Sequence, residues 1–502
     1  MTVSQESLTL NPDLLKTFAS LAALIQQATC QATPAHEVER SLWDWCLRMG
    51  HLALKQFFDT LGTGDLGDTL ILPDGQHLQR LAHLHGRRYL SVFGEFRLER
   101  TAYGSREGQA IACVPLDNRL QLPDSVFSYL LQDWDQSLAT EEAFGQVSQT
   151  IGRMLPVKQS VDSLEHMNQQ MAQQVASYRD NRPQPEPAAE GELLVVSADG
   201  KGIVMRRTDE APAPSAHRTK GEKASQKRMA TVGAVYSVDR YVRTPEQVVA
   251  ALFRDEPKPT ETRPQPQGKQ VWASLEGQQE DGQPCSSMEV VYPWLLNEVV
   301  ERNPQLGKEM VYLHDGQEAL WEACHRHLPR KNATEVLDLL HVTPRLWQAA
   351  HVFHPEKSEA AEGFVRERLL RVLQGEAPGV IRGLRQMATK QGLKGNRRKT
   401  LQTVCNYLQK NVERMRYDAY LRQGYPIASG VIEGACRHLV KDRMERAGMH
   451  WTMKGAQAML DVRSVHVNGA WEEYQAYRVE RETKRLYPHR SLFAGVDFPL
   501  AV

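Results

Sequence analysis

At 502 residues, with 41% hydrophobic, 24% charged and 7% aromatic residues, the chain has the make-up of a folded globular protein about three structural units long, which excludes a wholly disordered or fibrous one. Sixty-one Lys and Arg balance 61 Asp and Glu, so overall charge points to no polyanion partner and any such evidence must be local. The seven cysteines are scattered and never form a C-x-x-C pair, and no apolar run approaches the length of a membrane span. With an N-terminus, MTVSQESLTLNPDLLK, that lacks a basic segment ahead of an apolar one, a cytoplasmic, nucleoid-associated protein is expected, without disulfides or membrane partners.

Residues 12–60 carry apolar positions at helical spacing, broken by QATPAHE, so two or more helices are expected. RRYLSVFGEFRLERTAYG alternates bulky and polar residues around Gly94, as in a strand pair. From Asp124 to Tyr178 the pattern is helical, and EEAFGQVSQTIGRMLPVKQSVDSLEHMNQQM reads as a helix-turn-helix or a plain αα-hairpin. Residues 1–180 are therefore expected to form a mostly helical DNA-binding region, closed by a Pro-rich linker over 181–191.

Beyond the linker, ELLVVSADGKGIVM is a nearly continuous apolar run, as in a central strand covered on both faces. RMATVGAVYSVDRYV, KEMVYLHDG and ATEVLDLLHV read as further strands, and YPWLLNEVVERN and EALWEACHRHL as helices, so residues 192–354 are expected to begin an α/β core. The polar stretches 206–228 and 255–270 read as loops, 355–422 as an α-helical insertion, and 423–502 as the rest of the core with a helical tail.

Two strand candidates end in Asp-Gly, at Asp199 and Asp315, where an α/β sheet presents ligands, although Asp-Gly is also an ordinary turn. A third acid, Glu433, lies near the start of a helix, and Arg437 and Lys441 follow it at i+4 and i+8 along one expected stripe. Three such carboxylates suit two Mg²⁺ (or Mn²⁺) ions that clamp a phosphodiester. Residues 380–416, which include Arg397 and Arg398, hold ten Lys or Arg against the single acid Glu413, a local charge that could contact DNA backbone.

VVSADGKGIVMR, VYLHDGQEALW, VLDLLHVTPRLW and SGVIEGACRHLVKDRMERAGMHWT, in this order, resemble the DDE transposases of bacterial insertion sequences, closest to the Kra-type group, over about Leu15 to Tyr487. The resemblance implies an RNase H-like fold with a helical insertion before the glutamate, and assigns Asp199, Asp315 and Glu433 to the metals. It further implies double-stranded DNA as partner, both the element's terminal inverted repeats and the target, and a homo-oligomer on DNA. Asp338-Leu-Leu-His341 matches the D-x-x-H pattern of related transposase groups and is a possible supporting pair, and Trp451 is a candidate for stacking on a base, with core packing as its alternative. A cysteine cluster common before PLD in that group is reduced here to Cys113, so no zinc site is expected there. A metal-dependent structure-specific nuclease, or a DNA-binding protein derived from a transposase, are the alternatives.

Overall fold

The computed structural model describes residues 11–106, 110–183, 190–206, 227–255, 263–275, 277–278, 284–446 and 448–493. Contacts divide the chain into two units, residues 1–174 with 471–502, and residues 175–470. Most of the linker expected over 181–191 and of the loop expected over 206–228 lies outside the described residues.

In the first unit, α1 (Pro12–Cys30) starts where Asn11 accepts the Asp13 N–H, and α2 (Ala35–Leu61) follows. Short strands β1 (Thr69–Ile71), β2 (His77–Arg80) and β5 (Tyr103–Gly104) make a three-stranded sheet, while β3 (His85–Ser91) and β4 (Gly94–Arg100) form the expected strand pair. Gly94 takes φ 115° at the start of β4, a conformation that disfavours any side chain. After α3 (Pro115–Leu120) come α4 (Tyr129–Glu141), α5 (Phe144–Met154) and α6 (Val161–Ala172). Helices α5 and α6 bury Phe144, Val147 and Ile151, and Leu164, Met167 and Met171, the helical spacing seen in the sequence. Ser160 caps α6 by accepting the Ser163 N–H at 3.1 Å.

The second unit holds α7 (Val175–Asn181), β6 (Leu193–Val204), β7 (Lys227–Val238), α8 (Pro245–Phe253), β8 (Gln267–Leu275) and a small ladder of β9 (Gly277–Gln278) with β10 (Pro284–Cys285). Then come α9 (Met288–Arg302), β11 (Glu309–His314), α10 (Glu318–His327), β12 (Ala333–Leu337) and α11 (Leu339–Phe353). The insertion is helical throughout, with α12 (Glu359–Leu373), α13 (Ala377–Lys390), α14 (Gly395–Lys410) and α15 (Tyr417–Arg422). It is followed by α16 (Gly430–Ala435), a π-helical turn over Cys436–Lys441, α17 (Asp442–Met444) and α18 (Met453–Val467). A last helix, α19 (Trp471–Leu486), belongs to the first unit, where the Tyr474 hydroxyl donates to the Met171 carbonyl and Trp471 Nε1 to Asp133 at 2.6 Å. Within 423–502, expected as the rest of the core with a helical tail, the aromatic face of α19 finds its partners on α4 and α6.

The strand order is β12-β11-β6-β7-β8, with β12, β11 and β6 parallel and β7 antiparallel to both its neighbours. This five-stranded mixed sheet flanked by helices is an RNase H-like α/β architecture. Alternate residues of β6 serve opposite faces: Leu193 and Val195 join the core built with α11 to α14, and Leu194, Val196 and Ala198 the core built with α9 and α10. Both faces are covered, which is why the run reads as uninterrupted hydrophobicity.

Three expectations need correction. The strand expected over ATEVLDLLHV ends at Leu337, because the Asp338 side chain accepts the Leu340 N–H and starts α11, so His341 is a helical residue. The loop expected to reach residue 270 ends sooner, since Gln267 already pairs with Ser237 in β8. The helix expected from Val431 to Gly448 changes to a π-helical turn after Ala435.

Candidate active site

Asp199 lies on β6, and Asp315 directly follows the last residue of β11, the adjacent parallel strand. Asp199 is not at a strand end, as the sequence suggested: β6 continues to Val204, paired with β7, and Asp199 faces Val232 in that ladder. Its partnership with β11 does stop earlier, at Val196↔Tyr312. Past that point side chains replace the ladder. The Ser197 hydroxyl donates to the Leu313 carbonyl, and the Ala198 N–H donates to His314 Nδ1 at 3.0 Å. His314 is 1% exposed, and burial pushes its imidazole down to about 4, so it is neutral with its proton on Nε2. The two strands are pinned at the level where their acids emerge.

Asp199 Oδ1 accepts the Gly200 N–H at 2.7 Å, and Oδ2 lies 3.5 Å from the Cys436 thiol, which donates to it. Asp315 Oδ1 accepts the Gln317 N–H at 2.8 Å. Burial raises the Asp315 carboxyl above its ordinary range; the Gln317 N–H and the charges of His341 and Arg345 oppose the shift, and the charge of Asp199 adds to it. The two carboxylates therefore feel each other. Tyr407, from α14 of the insertion, packs against Gly316, where a Cβ would come within 2.3 Å of its ring, and Arg345 lies 4.7 Å over that ring.

Glu433 arrives on the first turn of α16 and is about half exposed, with Oε1 3.4 Å from His341 Nε2. Asp338 fixes this approach. It is 1% exposed, and its Oδ1 accepts both the Leu340 N–H at 2.9 Å and the Ser429 N–H at 3.3 Å, tying the start of α11 to the loop that launches α16. Its own N–H donates to the His314 carbonyl at 2.9 Å, Leu339 N–H donates to Ile427 at 2.9 Å, and the Ser429 and Ser197 hydroxyls lie 3.3 Å apart. Burial pushes the Asp338 carboxyl up to about 6, against the pull of those N–H donors and of His341. Ser197, His314, Ser429 and Cys436 were not singled out from sequence. Only the serine inside the apolar run and the Ser-Gly before a helix carried any signal of them.

The oxygen-only set of Asp199, Asp315 and Glu433 suits a hard cation, and the mutual repulsion at Asp315 is one that a cation would relieve. Yet among the described residues no group of three or more His, Cys, Asp or Glu side chains is gathered closely enough to hold a metal ion. Glu433 is turned toward His341 instead.

The other candidates fall in different places. Of the stripe expected for Glu433, Arg437 and Lys441, all three residues are exposed, and the winding between them changes to a π-helical turn after Ala435. Arg437 is 70% exposed with Nε 3.6 Å from Asp442, and Lys441 is exposed. Arg397 and Arg398 are exposed on the first turn of α14. Trp451 is 8% exposed; its backbone bridges Val204 and Arg206, and its Nε1 donates to the Met444 carbonyl at 3.1 Å. It packs in the fold, so its ring is not open to a base.

No protein-family model matches the chain, and no curated protein matches it. Among solved structures it is similar to the Drosophila P element transposase strand transfer complex, at 11% identity over 74% of this chain and 88% of that one, with a TM-score of 0.25. A likeness that loose equates no residue of one chain with a residue of the other. Among the described residues no helix is long and apolar enough to cross a membrane.

Proposed function

We propose that the protein is a DDE-type transposase that cuts the ends of an insertion sequence and joins the freed 3′-hydroxyl to target DNA. The observation that carries this reading is that Asp199 and Asp315 emerge at neighbouring positions of the pinned strands β6 and β11, with His341, the partner of Glu433, among the charges that Asp315 feels. Asp199, Asp315 and Glu433 would hold two Mg²⁺ or Mn²⁺ ions, which when bound supply activation of the attacking oxygen and neutralisation of the leaving one. The chain's own part is positioning. Asp338 and Ser429 set where α16 begins, His341 receives Glu433, and Arg345, with Arg437 and Lys441 nearby in sequence to Glu433, offers positive charge for strand phosphates. The α5–α6 pair in residues 1–180 would read element ends, Arg397 and Arg398 would contact DNA backbone without reading sequence, and a homo-oligomer would bring two ends together.

The test is incubation of the full chain with the DNA flanking its own gene plus Mg²⁺, followed by mapping of cut ends and joined products. Cuts at element boundaries with 3′-ends joined to target are expected. Cutting without joining makes the protein a nuclease, and binding without cutting makes it a DNA-binding protein.

A further inference from the structure

On the second unit, a cavity of about 250 Å³ opens between the end of β7, the segment leading to α8 and the loop before α16. Its walls include Tyr236, Tyr241, Arg243 and Arg263, and the backbone of Gly424 and Gly430. Arg243 is largely buried. Its Nη2 donates only to the Tyr425 carbonyl, at 3.3 Å, its Nε is buried with no hydrogen-bond partner, and its guanidinium lies 5.4 Å over the Tyr241 ring. Burial, and then the positive charge of Arg263, push Arg243 down to about 10. The phenol of Tyr236 also feels Arg263. Among the described residues no carboxylate is paired with either guanidinium; Asp239, on the cavity wall, accepts the Glu192 N–H at 3.3 Å. Two cations that repel each other around a hollow, one desolvated and with an idle donor, leave a buried charge uncompensated, which is costly unless an anion completes the set.

We infer that this cavity is a phosphate-binding site, in which Arg243 and Arg263 hold the oxygens of a phosphate group. The guanidinium fork matches phosphate oxygens, and a phosphate group fits within a cavity of about 250 Å³. Gly430 and Val431, which line the cavity, begin the helix that carries Glu433, so an occupied site braces that helix. The inference stands on the cavity's own chemistry and not on the transposition reading. The phosphate belongs either to a bound DNA strand or to a free phosphate compound.

The probe is inorganic phosphate, titrated into the full chain and followed by ³¹P line broadening and by melting temperature. Saturable binding is expected, weakened about tenfold or more by Arg243→Gln and by Arg263→Gln and unaffected by Arg397→Gln. Because Arg263 is exposed, its variant keeps the fold, and Arg243→Gln, which removes a buried unpaired charge, should melt no lower than wild type without phosphate. DNA binding measured against salt separates the sources. A log–log slope shallower by about one in each variant, with phosphate competing against DNA, assigns the site to a strand phosphate. Phosphate binding with an unchanged slope assigns it to a free compound. Absence of saturation, equal affinity in wild type and the two variants, or equal loss in Arg397→Gln overturns the inference.

Discussion

The strand-borne acids and the helix-borne acid are held in different ways. Asp199 and Asp315 leave backbone that is locked by ladder hydrogen bonds up to Val196↔Tyr312 and by the Ser197 and His314 side chains just beyond. Glu433 leaves a six-residue helix whose start is fixed by one carboxylate, Asp338, and whose end runs into a π-helical turn. The sheet supplies fixed positions, and the helix supplies one that depends on a few side-chain bonds. Glu433 is accordingly the acid whose present partner is a histidine and not the other carboxylates.

The largest expected effect tests whether all three acids act together despite that difference. Asp199→Ala, Asp315→Ala and Glu433→Ala should each abolish strand cleavage, by about 1,000-fold or more, while DNA binding persists in a gel-shift assay. Wild-type cleavage by any one of them removes that residue from the site. Next comes the link itself. Asp338→Ala strands two buried N–H donors and should cost about 2–4 kcal/mol in denaturant unfolding, with cleavage lowered as well, whereas Asp338→Asn keeps an acceptor and should cost less. Equal stability of Asp338→Ala and wild type would show that α16 is anchored elsewhere.

Asp338 also fixes a pH dependence. Its folded carboxyl titrates at about 6, above the ordinary 3.8, so the folded state holds the proton more tightly than the unfolded chain does. The stability it contributes is complete below pH of about 4 and is lost as pH rises through about 6, on the order of 2–3 kcal/mol. Asp338→Asn should flatten the unfolding free energy across that window, and an unaltered slope would refute the assignment. Smaller still, charge reversal at Arg397 and Arg398 should weaken binding to all DNA sequences alike and make the salt slope shallower by about two; a shift in base preference at constant affinity would contradict a backbone contact. Smallest, Arg437→Ala breaks only an exposed pair with Asp442 and should change stability by less than about 1 kcal/mol, so any loss of strand transfer in that variant reports on DNA and not on folding.

The sheet was legible because its central strand obeys a simple rule: Leu193 to Val196 are apolar at every position, as a strand covered on both faces must be. The helical insertion was legible because its pattern is helical with no strand candidate among its residues. Strand β8 was missed because its start, Gln267-Gly-Lys-Gln, is polar and follows a Pro-rich stretch, and only pairing with β7 makes it a strand. The end of β12 was misplaced because Leu339, Leu340 and Val342 suit a strand as well as a helix, and the cap at Asp338 decides between them. The acids were singled out from their motifs, but the Ser197, His314 and Ser429 side chains around them could not be, since their partners lie 116 or more residues away in sequence.

The π-helical turn makes chain length, and not only side-chain chemistry, a variable of the site. Downstream of it Arg443 and Met444 are clasped to Trp451, whose backbone is stitched to β6, and upstream of it stands Glu433. A one-residue deletion such as that of His438 would let the segment relax into an ordinary α-helix, and because a π-helical turn takes more residues per revolution than an α-helical one, both anchored ends would keep nearly the same relative orientation. An insertion has no such slack to take up. The turn therefore stores one residue of chain, and the aim of Glu433 should survive losing that residue better than gaining another.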